Sequence, residues 1–235
     1  MDFPSIAEPA ERPYVSTGHL PDPEMVQKLV SDAHSRYSSN GEGNNSQVYP
    51  ALARVPRELF GVCVVGTSGR VYEAGDTDVG FSIMSVSKPF VFALVCEMIG
   101  PEEARAKLGA NATGLAFNSL AAIEQGGGRT NPMVNAGAIA TTSLVPGRTA
   151  EDQWQFIHDG LSRFAGRTLE LNDEVYASAS ETNFRNRSIA RLLQSYDRIY
   201  CDPKQATDLY TRQCSLNVSA RDLAVMGATL ADGGV

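Results

Sequence analysis

One stretch of this chain reads as a β-hairpin, and after Gly80 the apolar spacing is helical almost to the last residue. Leu59-Phe-Gly-Val-Cys-Val-Val65, then Thr67-Ser-Gly69, then Val71-Tyr-Glu-Ala74 give strand, turn and strand. A lone two-stranded hairpin is marginal in water, so this one needs further strands or a covering helix. Before it, Met25, Leu29, Val30 and Ala33 recur at helical spacing from Asp22 to Tyr37. After it the pattern predicts helices over 85–99, 101–108, 117–124, 135–144, 150–164, 186–195 and 203–216. In the fifth of these, Trp154, Ile157, Leu161 and Phe164 share one stripe. A last helix starts at Ser219, an N-cap residue with Asp222 three positions on, and stops at Gly233-Gly234 and Val235. The expected class is mixed α+β, a helical body beside an incomplete antiparallel sheet. Residues 1–21 are polar and proline-rich without periodicity, and are expected to wrap the surface or stay mobile. Residues 22–235 form the expected domain.

Charge and cysteine usage narrow the function classes. With 20 Lys plus Arg against 27 Asp plus Glu, and no basic cluster, the chain has no footprint for nucleic acid or an anionic membrane. Cys63, Cys96, Cys201 and Cys214 stand singly, away from any histidine at ligand spacing, which argues against a zinc site. Asp2, Pro4, Glu8, Glu11 and Pro13 interrupt the region where a signal peptide needs an apolar run, so a cytoplasmic location is expected. The longest apolar run, 89–96, is far short of the ~20 residues that span a bilayer.

The chemical signal lies in Phe81-Ser-Ile-Met-Ser85-Val-Ser-Lys88, where strand gives way to helix. Ser85 and Lys88 stand three apart, a spacing that puts two Cβ atoms ~5–6 Å apart on one helix face, within reach for an amine to take the hydroxyl proton. With 20 serines and 4 lysines, about a third of such a match is expected by chance, so the spacing alone decides little. Context adds weight. The serine opens an apolar helix, where free N–H groups favour developing negative charge, and burial supplies the roughly 4 kcal/mol that brings a lysine near neutrality. The competing reading is a serine N-cap and a lysine snorkelling to solvent. His19, His34 and His158 are the only histidines, leaving little material for a Ser-His-Asp triad. Gln125-Gly-Gly-Gly128 lacks the following Lys-Ser/Thr of a phosphate loop and reads as a C-cap and turn.

With Asn131-Pro-Met-Val-Asn135-Ala-Gly-Ala-Ile139 added to the serine-lysine segment, the chain resembles the Ser-Lys glutaminases. Further matching motifs are Phe117-Asn-Ser-Leu120, Arg185-Asn186, Asp208-Leu-Tyr210-Thr-Arg-Gln-Cys-Ser215 and Met226-Gly-Ala-Thr-Leu-Ala-Asp-Gly-Gly234, in order from about Pro50 onward. The resemblance implies a β-lactamase/transpeptidase-like fold, and hydrolysis of L-glutamine to L-glutamate and ammonia without metal or cofactor. It implies Ser85 as acylated nucleophile and Lys88 as its base, with Asn135, Asn186 and Tyr210 on the substrate. From the residues alone, Asn135 and Asn186 could equally be helix caps and Tyr210 a core ring with a satisfied hydroxyl.

The pattern departs from the family in places. The site tyrosine two before a proline is displaced by one, giving Val48-Tyr49-Pro50, and Met84 replaces a common glutamine. The glutamate expected seven residues before Asn186 is Ala179, and the nearest carboxylate is Glu181. Glu181 can substitute only if the backbone there is not regularly helical, because two residues of helix turn a side chain by ~200°. The family also continues past the final Ala-Asp-Gly-Gly with a second site tyrosine, more strands and an oxyanion-hole N–H. That implies a fragment or truncated product, not fully active alone, with the Ser85 N–H as the remaining oxyanion donor. Relatives assemble as dimers or larger, so a homo-oligomer, dimer or tetramer, is expected. A β-lactam or D-alanyl peptide hydrolase of the same fold and a non-catalytic amino-acid-binding relative are the alternatives.

Overall fold

In a computed structural model, which describes residues 22–234, the expected hairpin forms. The 1–21 segment and the stop at Val235 lie outside the described residues. Helix α1 (Pro23–Tyr37) starts where Asp22 caps it, its carboxylate accepting from the Glu24 N–H at 2.9 Å, with proline in the first turn. Of its predicted stripe Val30 is buried, while Met25 and Leu29 stay exposed. A short α2 (Pro50–Ala53) precedes β1 (Gly61–Val65) and β2 (Val71–Gly75), which pair antiparallel from Gly61↔Gly75 to Val65↔Val71. Gly69, at φ +78°, closes the turn.

Among the described residues, helices and not strands pack on the hairpin. Helix α1 lies against it, with Gln27 Nε2 donating to the Glu73 carbonyl at 3.1 Å and His34 stacking on Phe60 at 5.4 Å. Ahead of the helical body come β3 (Phe81–Ser82) and a 3₁₀ turn over Met84–Val86 that runs into α3 (Ser87–Ile99). Then follow α4 (Pro101–Leu108), α5 (Ala121–Gln125), α6 (Asn135–Ser143) and α7 (Ala150–Ala165). The chain continues through β4 (Glu170–Leu171), α8 (Asp173–Thr182), α9 (Phe184–Ser195) and α10 (Pro203–Cys214). It closes with β5 (Leu216–Val218) and α11 (Ala220–Ala231). The last helix packs on β1 and is tied to β2 by Arg221, whose guanidinium bonds the Glu73 carboxylate at 2.5 and 3.0 Å.

Two predicted helices are corrected, the first being that over 117–124, which forms only as Ala121–Gln125. The helix expected over 203–216 ends at Cys214, and Leu216 instead opens the central strand of a second sheet, ordered β3-β5-β4 and antiparallel throughout. Strands of two or three residues are too short to show alternation. Helix α8 was also not expected; it is set by Asn172, whose side chain accepts from the Val175 N–H at 2.9 Å. The class is mixed α/β, rich in helix, with small antiparallel sheets.

Two apolar clusters fill the helical body. Ile83, Phe90, Val91, Ile157, Leu161, Leu216, Val218 and Met226 form one, joining α3, α7, α11 and the small sheet. Leu108, Ile123, Ile139, Ile189, Leu193 and Tyr210 form the other, from α4, α5, α6, α9 and α10. Every residue of α6 is buried. Its small side chains permit this: a Cβ on Gly137 would overlap the Thr130 and Asn131 carbonyl oxygens. Its hydroxyls turn back on the helix, Thr141 to the Gly137 carbonyl at 2.7 Å and Ser143 to the Ala140 carbonyl at 2.6 Å.

Candidate active site

Ser85 sits in the 3₁₀ turn between a sheet and a helix. The strand side is fixed by Ser82, paired with Asn217, and by the Ile83 N–H, which donates to the Leu216 carbonyl at 2.9 Å. Met84 then takes φ +50°, the left-handed region that a methionine rarely occupies, and the chain enters α3. The result is an exposed hydroxyl on a strained turn directly above a buried helix.

Lys88, one turn on, is only 4% exposed. It does not snorkel. Its Nζ donates to Asn135 Oδ1 at 2.9 Å and to the Met133 carbonyl at 3.3 Å, and lies 5.8 Å from the Phe117 ring centre. Neither hydrogen-bond acceptor is charged. Burial therefore holds the ammonium below the ordinary lysine value, with a smaller opposing pull from the Cys214 thiol. The amine makes no hydrogen bond to Ser85 Oγ, contrary to the direct contact expected from spacing, because the buried nitrogen is held by two fixed acceptors on the loop and first turn of α6.

Asn135 is the hub. Its Oδ1 accepts from Lys88 and, at 3.3 Å, from the Tyr210 hydroxyl, and its Nδ2 donates to Asn186 Oδ1 at 2.9 Å. Two donors on one oxygen fix which way the amide faces. Asn135 and Asn186 lie inside their helices, and neither side chain caps a helix end, so the capping readings fail. Tyr210 meets its core reading, a buried ring in the second cluster with a bonded hydroxyl. Burial, then the neighbouring Cys214, push its phenol well above the ordinary tyrosine value, against the Ser85 hydroxyl, so it stays a donor. Burial likewise pushes the Cys214 thiol up to about 11.

Ser85, Asn135, Asn186 and Tyr210 line one cavity of about 240 Å³, and Lys88 is hydrogen-bonded to Asn135 in its wall. Tyr49 lines it too, so the displaced phenol still reaches the site, and burial raises its pKa. Glu181 does not. It is exposed on a regular α8 that runs to Thr182, and the residues that line the cavity from that helix are Ala179 and Thr182. Ser46, Asn118, Asn183, Arg185 and Cys214 complete much of the wall. Of these, Asn118, Arg185 and Cys214 fall within motifs quoted above, whereas Ser46 and Asn183 carry no signal in the sequence. Arg185 Nε donates to the Asn118 carbonyl at 2.9 Å, joining two motifs that are far apart in the chain. Among the described residues no group of three His, Cys, Asp or Glu side chains is arranged to hold a metal.

Residues 43–235 match the sequence profile of the glutaminase family. The chain belongs to that family. It is 71% identical over 223 residues to Glutaminase 2 of Yersinia pestis, covering 94% of this chain and 66% of that one. It is 50% identical over 210 residues to the glutaminase of Mycobacterium ulcerans (strain Agy99), covering 89% and 66%. Among solved structures it is similar to the probable glutaminase ybaS, with a TM-score of 0.89 and 46% identity over 91% of this chain and 70% of that one. It is also similar to a probable glutaminase from Bacillus subtilis complexed with 6-diazo-5-oxo-L-norleucine, with a TM-score of 0.76 and 25% identity, covering 92% of this chain and 67% of that one. This chain thus spans 66% of the length of the two named sequence relatives.

Proposed function

We propose that the chain carries the chemistry of a glutaminase, hydrolysing the side-chain carboxamide of L-glutamine to L-glutamate and ammonia through an acyl-enzyme on Ser85. One observation carries this reading: a lysine buried without a carboxylate partner, one turn below a serine that lines a cavity with Asn135, Asn186, Tyr49 and Tyr210. The family's β-lactamase-like fold, with 22–235 as one catalytic domain, belongs to the same reading.

In its uncharged form, which burial favours, the Lys88 amine leaves its longer bond to the Met133 carbonyl and takes the Ser85 Oγ proton as Oγ bonds to the carboxamide carbon. The carbonyl oxygen gains the electron pair and is met by the Ser85 backbone N–H. The Lys88 ammonium then protonates the nitrogen as the C–N bond breaks, ammonia leaves, and an ester remains on Ser85. Water repeats the cycle: Lys88 takes its proton, the hydroxide oxygen bonds to the acyl carbon, and Ser85 departs with the proton held by Lys88. Asn135, Asn186, Tyr210 and Tyr49 supply hydrogen bonds for the amino-acid end, and Arg185 supplies a positive charge for its carboxylate. Four unpaired cysteines suit a reducing, cytoplasmic setting, and the half-exposed apolar residues of the hairpin, Val64 and Val71, suit a homo-oligomer.

The test is ammonia release from L-glutamine, with covalent labelling by 6-diazo-5-oxo-L-norleucine read by intact mass. Ser85→Ala should abolish the label and lower turnover by at least ~10³-fold, and Lys88→Ala should do nearly the same. Unchanged turnover in either variant overturns the assigned roles.

A further inference from the structure

A line of buried polar groups that the reaction does not use runs from the strained turn into the core. Ser87, fully buried at the start of α3, donates from Oγ to the Met84 carbonyl at 2.9 Å, and its own N–H reaches the same oxygen. Gln213, 1% exposed near the end of α10, donates from Nε2 to Ser87 Oγ at 3.2 Å. Its Oε1 accepts at 2.9 Å from the Thr142 hydroxyl of α6, which is shared with the Ala138 carbonyl at 3.0 Å. Three polar side chains in an apolar interior cost desolvation that leucine or valine would avoid. What they hold is one backbone carbonyl.

That carbonyl belongs to the peptide whose other end is the Ser85 N–H. A trans peptide is planar, with C=O and N–H pointing in opposite directions, so drawing the Met84 oxygen toward buried Ser87 turns the Ser85 N–H away from it. Among the described residues the Ser85 N–H donates to no backbone acceptor outside its own turn, which leaves it available to a ligand. Met84 is also the residue at φ +50°, so the clamp acts where the turn is under strain.

We infer that Ser87 and Gln213 are positioning residues that aim the Ser85 N–H at the substrate carbonyl oxygen by clamping the Met84 carbonyl. This rests on the acyl-enzyme reading above. Neither residue touches the substrate. Both act through one hydrogen-bond line, with Thr142 holding its far end.

The experiment measures kcat and KM for L-glutamine, and the rate of Ser85 labelling by 6-diazo-5-oxo-L-norleucine, in Ser87→Ala, Gln213→Met and the double variant of the full chain. Each single variant should lower kcat about tenfold with KM held within about twofold, and labelling should slow in parallel. Because the two share one path, the double variant should also lose about tenfold and not a hundredfold. Thr142→Val, a shape-conserving change at the end of the line, should lose about two- to threefold. An unchanged kcat, a rise in KM alone, or losses that multiply in the double variant overturn the inference. If Ser87→Ala and Gln213→Met do not fold, a Thr142→Val protein with wild-type kcat overturns it. A wild-type chain that loses activity on Ser85→Ala while the Ser87 and Gln213 variants keep full kcat rejects this inference alone. A wild-type chain that neither releases ammonia nor takes the label rejects the acyl-enzyme reading and this inference with it.

Discussion

The hairpin and helix α6 solve the same problem of burying an element in opposite ways. In β1 no residue is fully buried, Val64 is 42% exposed, and the strand has a single partner strand among the described residues. In α6 all nine residues are buried, and its side chains are small enough that a loop backbone lies directly on Gly137. The hairpin leaves part of its surface open to solvent; α6 leaves almost none. Asn135, on which Lys88, Tyr210 and Asn186 converge, stands on the tight element. Precision in a site follows from packing that leaves no alternative position.

The sharpest test of that contrast is Gly137→Ala. The added methyl meets two backbone carbonyls that belong to the loop holding Met133, and should cost about 3 kcal/mol, read as a lower urea midpoint. A midpoint equal to wild type would mean that α6 is as yielding as the hairpin. Next comes the seat of α11 against β1. Asp222 closes the capping box with Ser219 and is held by Arg167 at 2.6 and 2.8 Å, so Asp222→Asn should cost about 1–2 kcal/mol. Burial pushes the Asp222 carboxyl up, but Arg167 and the Ser219 cap outweigh it and leave it below the ordinary carboxylate value. Its stabilisation is therefore present above the ordinary value and lost as pH falls through the depressed one; the Asn variant should flatten that acid limb of the unfolding curve.

How much of this contrast could be read beforehand depended on length of signal. The last cap was legible: Ser219 with Asp222 stands where its residue types placed it, whereas Ser85 caps neither the 3₁₀ turn nor α3. The small sheet was not, because Phe81–Ser82 and Leu216–Val218 are too short to show a period, and the pairing of Ser82 with Asn217 joins residues over a hundred positions apart. In the site, Ser85 and Lys88 were visible as a local spacing, whereas Asn135, Asn186 and Tyr210 needed family motifs, since only the fold brings three helices to one cavity. Glu181 misled because nearness in sequence is not nearness on a helix, and Ala179 takes the inward position.

Two smaller effects finish the comparison. Lys88 has a folded pKa below its unfolded one, so between those two values the unfolded chain binds the extra proton and stability rises with pH. Lys88→Met should remove that alkaline rise, seen in unfolding midpoints across the interval; a variant that keeps the wild-type slope would show the amine to be solvated. Val64→Thr on the hairpin should change stability by no more than about 0.5 kcal/mol, and a larger loss would mean that this face is packed after all.

Cys214 shares the cavity wall with Ser85, yet its thiol is held near 11 by burial. Peroxides and alkylating agents attack the thiolate, and at neutral pH only a trace of that form exists here. A pocket built this way keeps its soft nucleophile dormant, so an electrophile small enough to enter should be consumed by the hydroxyl and not by the sulfur.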